Sequence, residues 1–79
     1  MSIIYNKKMD YRYILGRNIK AERVRKNITQ EQFAELIDMS LSYVSKLEQG
    51  ITSPTAYVLF RMSKILNVPM EEFFKGFEV

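Results

Sequence analysis

The sequence has 79 residues, of which 47% are hydrophobic and 27% charged, and its formal net charge is +3. This length is enough for one small domain with a single core and leaves no room for a second core. Because the sequence contains neither cysteine nor histidine, it lacks disulfides, thiolate or imidazole metal ligands and the usual general base near neutral pH, so we expect no catalytic site, no metal and no cofactor.

Capping residues divide the first half of the chain into helices rather than strands. Asp10 can cap a first helix that runs to about residue 26, with an apolar side among many basic residues. Thr29 can cap a second helix through Ile37, and Gln32, three residues later, completes a capping box. The side chains of this second helix that we expect in the core are Phe33, Leu36 and Ile37.

The third helix follows a short turn at Asp38 and Met39. Ser40 can cap it, and it runs from residue 41 to about residue 49, where Gly50 is a natural stop. Its apolar positions, spaced three residues apart, are Val44 and Leu47.

Two more helices are predicted after the loop at residues 51–54. Thr55 can cap the fourth helix, which runs to about residue 66, and a short fifth helix covers about residues 70–74. Helical spacing alone predicts that these two helices contribute core residues, namely Leu59, Leu66, Phe73 and Phe74.

Residues 29–48 form two predicted helices joined by a turn of about three residues. Helices that cross at roughly 90–120° in this way need a small residue where their backbones meet, and Ala34 fits. The outward side of the second of these helices is short-chained and polar, and the major groove of B-DNA, about 12 Å wide, accepts one α-helix. Gln30, at the start of its helix, could donate a hydrogen bond to a phosphate. The pattern therefore predicts an all-α fold whose helix-turn-helix binds double-stranded DNA.

Positive charge is concentrated at the start of the sequence. Residues 1–26 contain eight lysines and arginines against two acids, a balance of +6, whereas residues 27–79 contain four against seven, a balance of −3. A basic leading segment favours a polyanionic partner.

The sequence resembles the phage repressor and Cro type of helix-turn-helix regulators, the XRE family, over about residues 14–74. The matching residues are Ile19, Arg23, the run 29–34, Ser40, Val44, the run 47–50, Pro54, Leu59, the run 66–68, and Phe73 with Phe74. The resemblance implies a five-helix, phage-repressor-like DNA-binding domain. We assign residues 1–9 to an N-terminal extension, residues 10–75 to the helix-turn-helix domain and residues 76–79 to a short tail.

The resemblance also implies roles for individual residues. Those implied to read base edges are Leu41, Ser42 and Lys46. Those implied to contact the sugar-phosphate backbone are Gln30, Ser40, Tyr43, Gln49, Thr52 and Ser53. Arg23 and Glu48 are implied to form a partly buried ion pair that ties the first helix to the third.

Asp38 and Leu41 depart from the residues most frequent in the family. Asp38 stands in the turn where glycine is most frequent, and aspartate tolerates a positive φ there better than most residues do. Leu41 stands where many relatives have a polar side chain. Because leucine cannot form hydrogen bonds, its natural contact is a thymine methyl group.

The fourth helix has more apolar residues than one core needs. The resemblance places on its core side Ala56, Leu59, Phe60, Met62, Ser63 and Leu66. The apolar residues left over on this helix are Tyr57, Val58 and Ile65, and the tail adds Phe77. We predict that these four residues form a homodimer interface. In the alternative arrangement, this face is covered within one subunit by Ile3, Ile4, Tyr5 and Tyr13.

These patterns predict a sequence-specific DNA-binding transcriptional regulator, a dimeric repressor that reads an inverted-repeat operator. No effector module follows the helices, so no small-molecule effector is expected. A protein-interaction adaptor or an antitoxin-like partner protein could use the same fold. Because no uncharged apolar run approaches the roughly 20 residues that span a bilayer, we expect a cytoplasmic protein without membrane contact.

Overall fold

The computed structural model describes residues 10–77, and within them it contains four α-helices, one 3-10 helix and no strand. The α-helices are α1 (Tyr11–Arg25), α2 (Gln30–Leu36), α3 (Leu41–Gln49) and α4 (Ala56–Leu66). The all-α prediction is confirmed. The extension at residues 1–9, and with it the alternative in which Ile3, Ile4 and Tyr5 cover the α4 face, lies outside the described residues.

The fifth predicted helix is a 3-10 helix, Met70–Phe74, so the prediction of five α-helices is wrong by one. It has no side-chain cap, because Pro69 occupies its N-cap position. Gly76, with φ 87°, turns the backbone soon after its end. A five-residue segment of this kind is too short to gain from α-helical hydrogen bonding, and 3-10 geometry is usual in such short pieces.

Each α-helix begins at a polar residue whose side chain accepts a backbone hydrogen bond. Thr29 accepts from the Gln32 amide at 3.0 Å, and the Gln32 side chain accepts from the Thr29 amide at 2.9 Å. This reciprocal pair is the predicted capping box. The other three N-caps are Asp10, Ser40 and Thr55.

Each α-helix is followed by a residue with a left-handed backbone. These residues are Asn27, Asp38, Gly50 and Asn67, with φ between 55° and 81°. In each case its amide and the next amide donate to carbonyls of the last helical turn, as in the Schellman motif. Glycine, asparagine and aspartate adopt this conformation at the lowest cost, so residue type ends each helix at a defined position.

The core lies between α1, α2, α3, α4 and the 3-10 helix. Its buried apolar residues are Leu15, Ile19, Phe33, Ala34, Ile37, Val44, Leu47, Leu59, Met62, Leu66 and Phe73. Three apolar residues predicted to be in the core are instead exposed: Leu36 (49%), Phe60 (46%) and Phe74 (39%). Successive residues of a helix point about 100° apart around its axis. Leu36 follows this rotation away from buried Ile37, and Phe60 away from buried Leu59, so neither side chain faces the core. Ala56, at the first turn of α4, is exposed as well.

The backbones of α1 and α3 approach closely at a glycine. A Cβ atom on Gly16 would lie 2.4 Å from the Leu47 carbonyl oxygen and 3.0 Å from that of Glu48. Only a residue without a side chain allows this approach, so Gly16 sets the position of α3 against α1. In the described part of the chain, no helix is both long and apolar enough to cross a membrane.

Candidate nucleic-acid interface

The turn between α2 and α3 is held by backbone hydrogen bonds. The Asp38 amide donates to the Glu35 carbonyl at 3.1 Å, and the Met39 amide donates to the Ala34 carbonyl at 2.9 Å. Asp38 has φ 59°, so this position does require a left-handed residue. Ser40 then caps α3, its hydroxyl oxygen accepting from the Tyr43 amide at 3.0 Å. The result is a short, well-defined connection between two helices.

The outward edge of α3 carries the three residues assigned to base reading. Leu41, Ser42 and Lys46 are all exposed, and Leu41 retains 43% of its accessible surface. On the opposite side, Val44 and Leu47 are fully buried. Because the inner side is fixed in the core, the outer side chains project from a rigid helix, and no side-chain hydrogen bond to another described residue restrains them.

The residues assigned to backbone contact surround this edge and are held to different degrees. Gln49 is exposed and donates to the Ser45 hydroxyl at 2.8 Å. Tyr43 is half-buried, and burial raises the pKa of its phenol above the ordinary value. Its hydroxyl group can donate a hydrogen bond. Thr52 and Ser53 are half-buried in the loop after α3.

Arg23 and Glu48 form a buried, bidentate ion pair. Arg23 Nε donates to Glu48 Oε2 at 2.6 Å, and Nη2 donates to Oε1 at 3.0 Å. The side chains retain only 9% and 2% exposure. Arg23 Nη1 also donates to the Ile28 carbonyl at 2.6 Å, and Gln30 Nε2 donates to Glu48 Oε1 at 2.9 Å. One carboxylate thus joins α1, the start of α2 and α3, and it binds the Gln30 amide at the start of α2, where a phosphate contact is predicted.

Arg61 connects α4 to the end of α2, and the sequence analysis did not identify this contact. From α4, its Nη1 donates to the Ile37 carbonyl at 3.2 Å and its Nη2 to the Leu36 carbonyl at 3.4 Å. These are carbonyls at the end of α2, where a positive charge is favourable. The residues are 24 and 25 positions apart, so no local pattern could have indicated the contact.

The four residues assigned to the dimer interface are not equally accessible. Tyr57 is 67% exposed, whereas Val58, Ile65 and Phe77 are partly buried against the core. Phe77 also packs edge-on against Phe74, with ring centroids 5.2 Å apart. The outer face of α4 therefore has two exposed aromatic residues, Tyr57 and Phe60.

Comparison with known proteins identifies this architecture. The helix-turn-helix family HTH_3 matches residues 19–73. An uncharacterized HTH-type transcriptional regulator of Bacillus subtilis, YazB, is 36% identical over 59 residues, covering 75% of this chain and 86% of that protein. The control protein C.SmaI of Serratia marcescens is 32% identical over 59 residues, covering 75% of this chain and 70% of that protein.

A solved structure shows the same fold. The restriction-modification controller protein C.AhdI of Aeromonas hydrophila superposes with a TM-score of 0.75 at 24% identity, covering 80% of this chain and 96% of that one. Since the matched region contains α2, the turn and α3 with their supporting helices, this chain belongs to the HTH_3 helix-turn-helix family of DNA-binding transcriptional regulators.

Proposed function

We propose that this regulator binds a specific double-stranded DNA sequence by inserting the N-terminal part of α3 into the major groove. The observation that supports this most directly is the pairing of a buried inner side of α3 with an exposed outer edge at Leu41, Ser42 and Lys46. A helix held in this way can present side chains to base edges in one fixed orientation.

The contact that we propose for each residue follows from the hydrogen-bonding chemistry of its side chain. Lys46 can donate to guanine O6 or N7, Ser42 can donate or accept, and Leu41 can contact a thymine methyl group. Gln30, Ser40, Tyr43, Gln49, Thr52 and Ser53 would bind phosphates or sugars and so fix the register of α3 along the groove. The Ser40 hydroxyl oxygen already accepts the cap hydrogen bond, and its own proton remains available to a phosphate.

We further propose that the functional unit is a homodimer that represses transcription by occupying its operator. A twofold dimer through Tyr57, Val58, Ile65 and Phe77 would place two α3 helices about 34–36 Å apart, which corresponds to an inverted repeat with half-sites one helical turn apart. Similarity to a protein named as a control protein supports a role in controlling genes. Binding to DNA would place the protein in the cytoplasm.

Selection of bound fragments from random duplex DNA tests both proposals, because it returns the sequence, its symmetry and the half-site spacing together. We expect an enriched inverted repeat. Lys46→Glu should abolish the gel shift of the selected duplex. Failure to retain any duplex at low ionic strength would refute DNA binding, and an enriched site without symmetry would refute the twofold dimer.

A protein-interaction adaptor is the second candidate, and the exposure of Tyr57 is the observation that favours it. An adaptor that docks through α4 would keep its partner when Lys46 is replaced by Glu and lose it when Tyr57 is replaced by Ala. If the protein binds DNA through α3, Lys46→Glu should abolish DNA binding whether the protein is a monomer or a dimer.

A further inference from the structure

A groove runs along the outer side of α1, next to the helix-turn-helix. This α1 groove has a volume of about 700 Å³ and is lined by Tyr13, Arg17, Lys20, Ala21, Val24 and Arg25, with Glu48 of α3 forming its inner wall. Tyr13, Arg17, Lys20 and Val24 recur every three or four positions, with Ala21 and Arg25 beside them, so these residues share one side of the helix. No other described helix packs over that side, where Tyr13, Ala21 and Val24 are exposed.

Three cations line the α1 groove, and among the described residues Arg25 alone of the three has an acidic partner. Arg12 pairs with Asp10 at 2.9 Å, Arg25 pairs with Glu22 at 2.8 Å, and Arg23 pairs with Glu48. Within residues 10–77, neither Arg17 nor Lys20 has an acidic partner. Two positive charges of α1 therefore face solvent uncompensated, on the same side of the helix.

Arg17 is nevertheless held in place. Its Nη1 donates to the Tyr13 hydroxyl oxygen at 3.0 Å, and its guanidinium lies over the Tyr13 ring, 5.6 Å from the centroid. A neutral phenol orients the guanidinium without cancelling its charge. The acid in the groove wall, Glu48, has only 2% of its side chain exposed, and Arg23 and Gln30 already bind it. The α1 groove therefore favours an anionic occupant.

The α1 groove is linked to the proposed DNA surface through Glu48. Glu48, its inner wall, accepts a hydrogen bond from Gln30, the residue proposed to contact a phosphate at the start of α2. Lys20 and Arg17 are three residues apart, which is about 4.5 Å along the axis of α1. A DNA strand is a continuous row of phosphates, so two cations on one side of α1 can each neutralise one phosphate.

We propose that the α1 groove binds the sugar-phosphate backbone of the DNA strand that Gln30 contacts, on the outer flank of the half-site, with Arg17 and Lys20 each neutralising one phosphate. The inference rests on the proposed DNA-binding function and adds an anchor that is independent of base sequence. It extends the contact beyond the bases that α3 reads.

The test compares the salt dependence of DNA binding for the full chain and four variants, using a duplex that the wild-type protein selects from random 40-bp DNA. The variants are Arg17→Gln, Lys20→Gln, the double variant, and Lys64→Gln as the matched control. Lys64 is exposed on α4, outside the α1 groove, and has no acidic partner among the described residues. Each single variant removes one exposed charge, and an unchanged circular dichroism melting curve verifies the fold.

We expect the slope of log K against log salt concentration to fall by about 0.9 for each single groove variant and by about 1.8 for the double variant, with Lys64→Gln unchanged. The preference for the selected duplex over a scrambled one should not change, because phosphate contacts do not read sequence. Hydroxyl-radical footprinting should show protected sugars outside the half-site that the double variant loses.

A double variant with the slope and footprint of the wild type would overturn the inference while DNA binding by the wild type stands. If the wild type itself binds no duplex at low salt, the proposed function fails, and the inference fails with it. The two failures are therefore distinguished by the wild-type measurement alone.

Discussion

The two sides of α3 differ in how firmly the rest of the protein holds them. On the inner side, Val44 and Leu47 are fully buried and Glu48 accepts three hydrogen bonds from Arg23 and Gln30. On the outer side, Leu41, Ser42 and Lys46 are exposed. The inner side is thus where the position of the helix is determined, and the outer side can vary without affecting the fold. This separation allows one scaffold to present different reading residues.

We expect substitutions on the inner side of α3 to lower the free energy of unfolding and substitutions on its outer side to leave it unchanged. The largest expected effect is that of Glu48→Ala, which leaves the buried Arg23 guanidinium unpaired. We expect the free energy of unfolding to fall by about 3–5 kcal/mol, measured by urea denaturation. Glu31→Ala, which removes an exposed acid from α2, is the control and should change it by less than about 0.5 kcal/mol.

A double replacement isolates the contribution of the charge balance between Arg23 and Glu48. Because a buried ion pair is costly to desolvate, replacing Arg23 with Met and Glu48 with Leu together should destabilise the protein less than Glu48→Ala alone. Equal or greater loss in the double variant would mean that the hydrogen bonds to the Ile28 carbonyl and Gln30, rather than the charge balance, dominate.

Gly16→Ala should have the next largest effect. Alanine favours a helix by about 1 kcal/mol relative to glycine, but its Cβ would lie 2.4 Å from a backbone carbonyl that cannot move freely. We expect the clash to prevail, with a net loss of about 1–3 kcal/mol and weaker binding to the selected duplex because α3 is displaced. Tyr11→Ala, which is exposed on the first turn of α1 and outside the α1 groove, is the control. A Gly16→Ala protein as stable as the wild type would show that the clash costs no more than the helix propensity that alanine gains, about 1 kcal/mol.

Lys46→Gln should change recognition without changing stability. The free energy of unfolding should stay within about 0.5 kcal/mol of the wild type, whereas discrimination between the selected and a scrambled duplex should fall by about 1–3 kcal/mol. Fluorescence anisotropy with both duplexes measures the discrimination. Equal weakening on both duplexes would mean that Lys46 contacts phosphate rather than a base.

The smallest expected effect is a pH dependence at the start of α1. The hydrogen bonds from Arg12 lower the pKa of the Asp10 carboxyl below its usual range. Because the pKa of Asp10 is lower in the folded state than in the unfolded state, the ionised carboxylate stabilises the fold at pH values above its unfolded-state pKa. This stabilisation is lost as the pH falls through its folded-state pKa. The stability of Asp10→Asn should therefore decrease slightly less on acidification than that of the wild type. Thermal melts between about pH 2 and pH 5 measure this difference.

The helix limits follow closely from the sequence because caps are local. Thr29 with Gln32, Ser40 and Thr55 each bind an amide within three residues, and the left-handed positions Asn27, Asp38, Gly50 and Asn67 have residue types that suit them. These interactions depend on neighbours along the chain, so residue type and spacing were sufficient to predict the caps, the turn at Asp38 and the stop at Gly50. The candidate DNA-contacting residues were likewise identified from the spacing of residues 29–48 and from resemblance.

Only the tertiary structure determined which apolar residues are covered and which distant polar groups meet. Leu36, Phe60 and Phe74 are exposed although their spacing predicts burial. Arg61 contacts the end of α2, and Gly16 lies against the α3 backbone. Asn18 also donates to the Phe73 carbonyl, 55 residues away. The physical reason is that burial and long-range hydrogen bonds depend on how helices pack. A helical period specifies only the direction of each side chain around its own axis, and not what lies opposite.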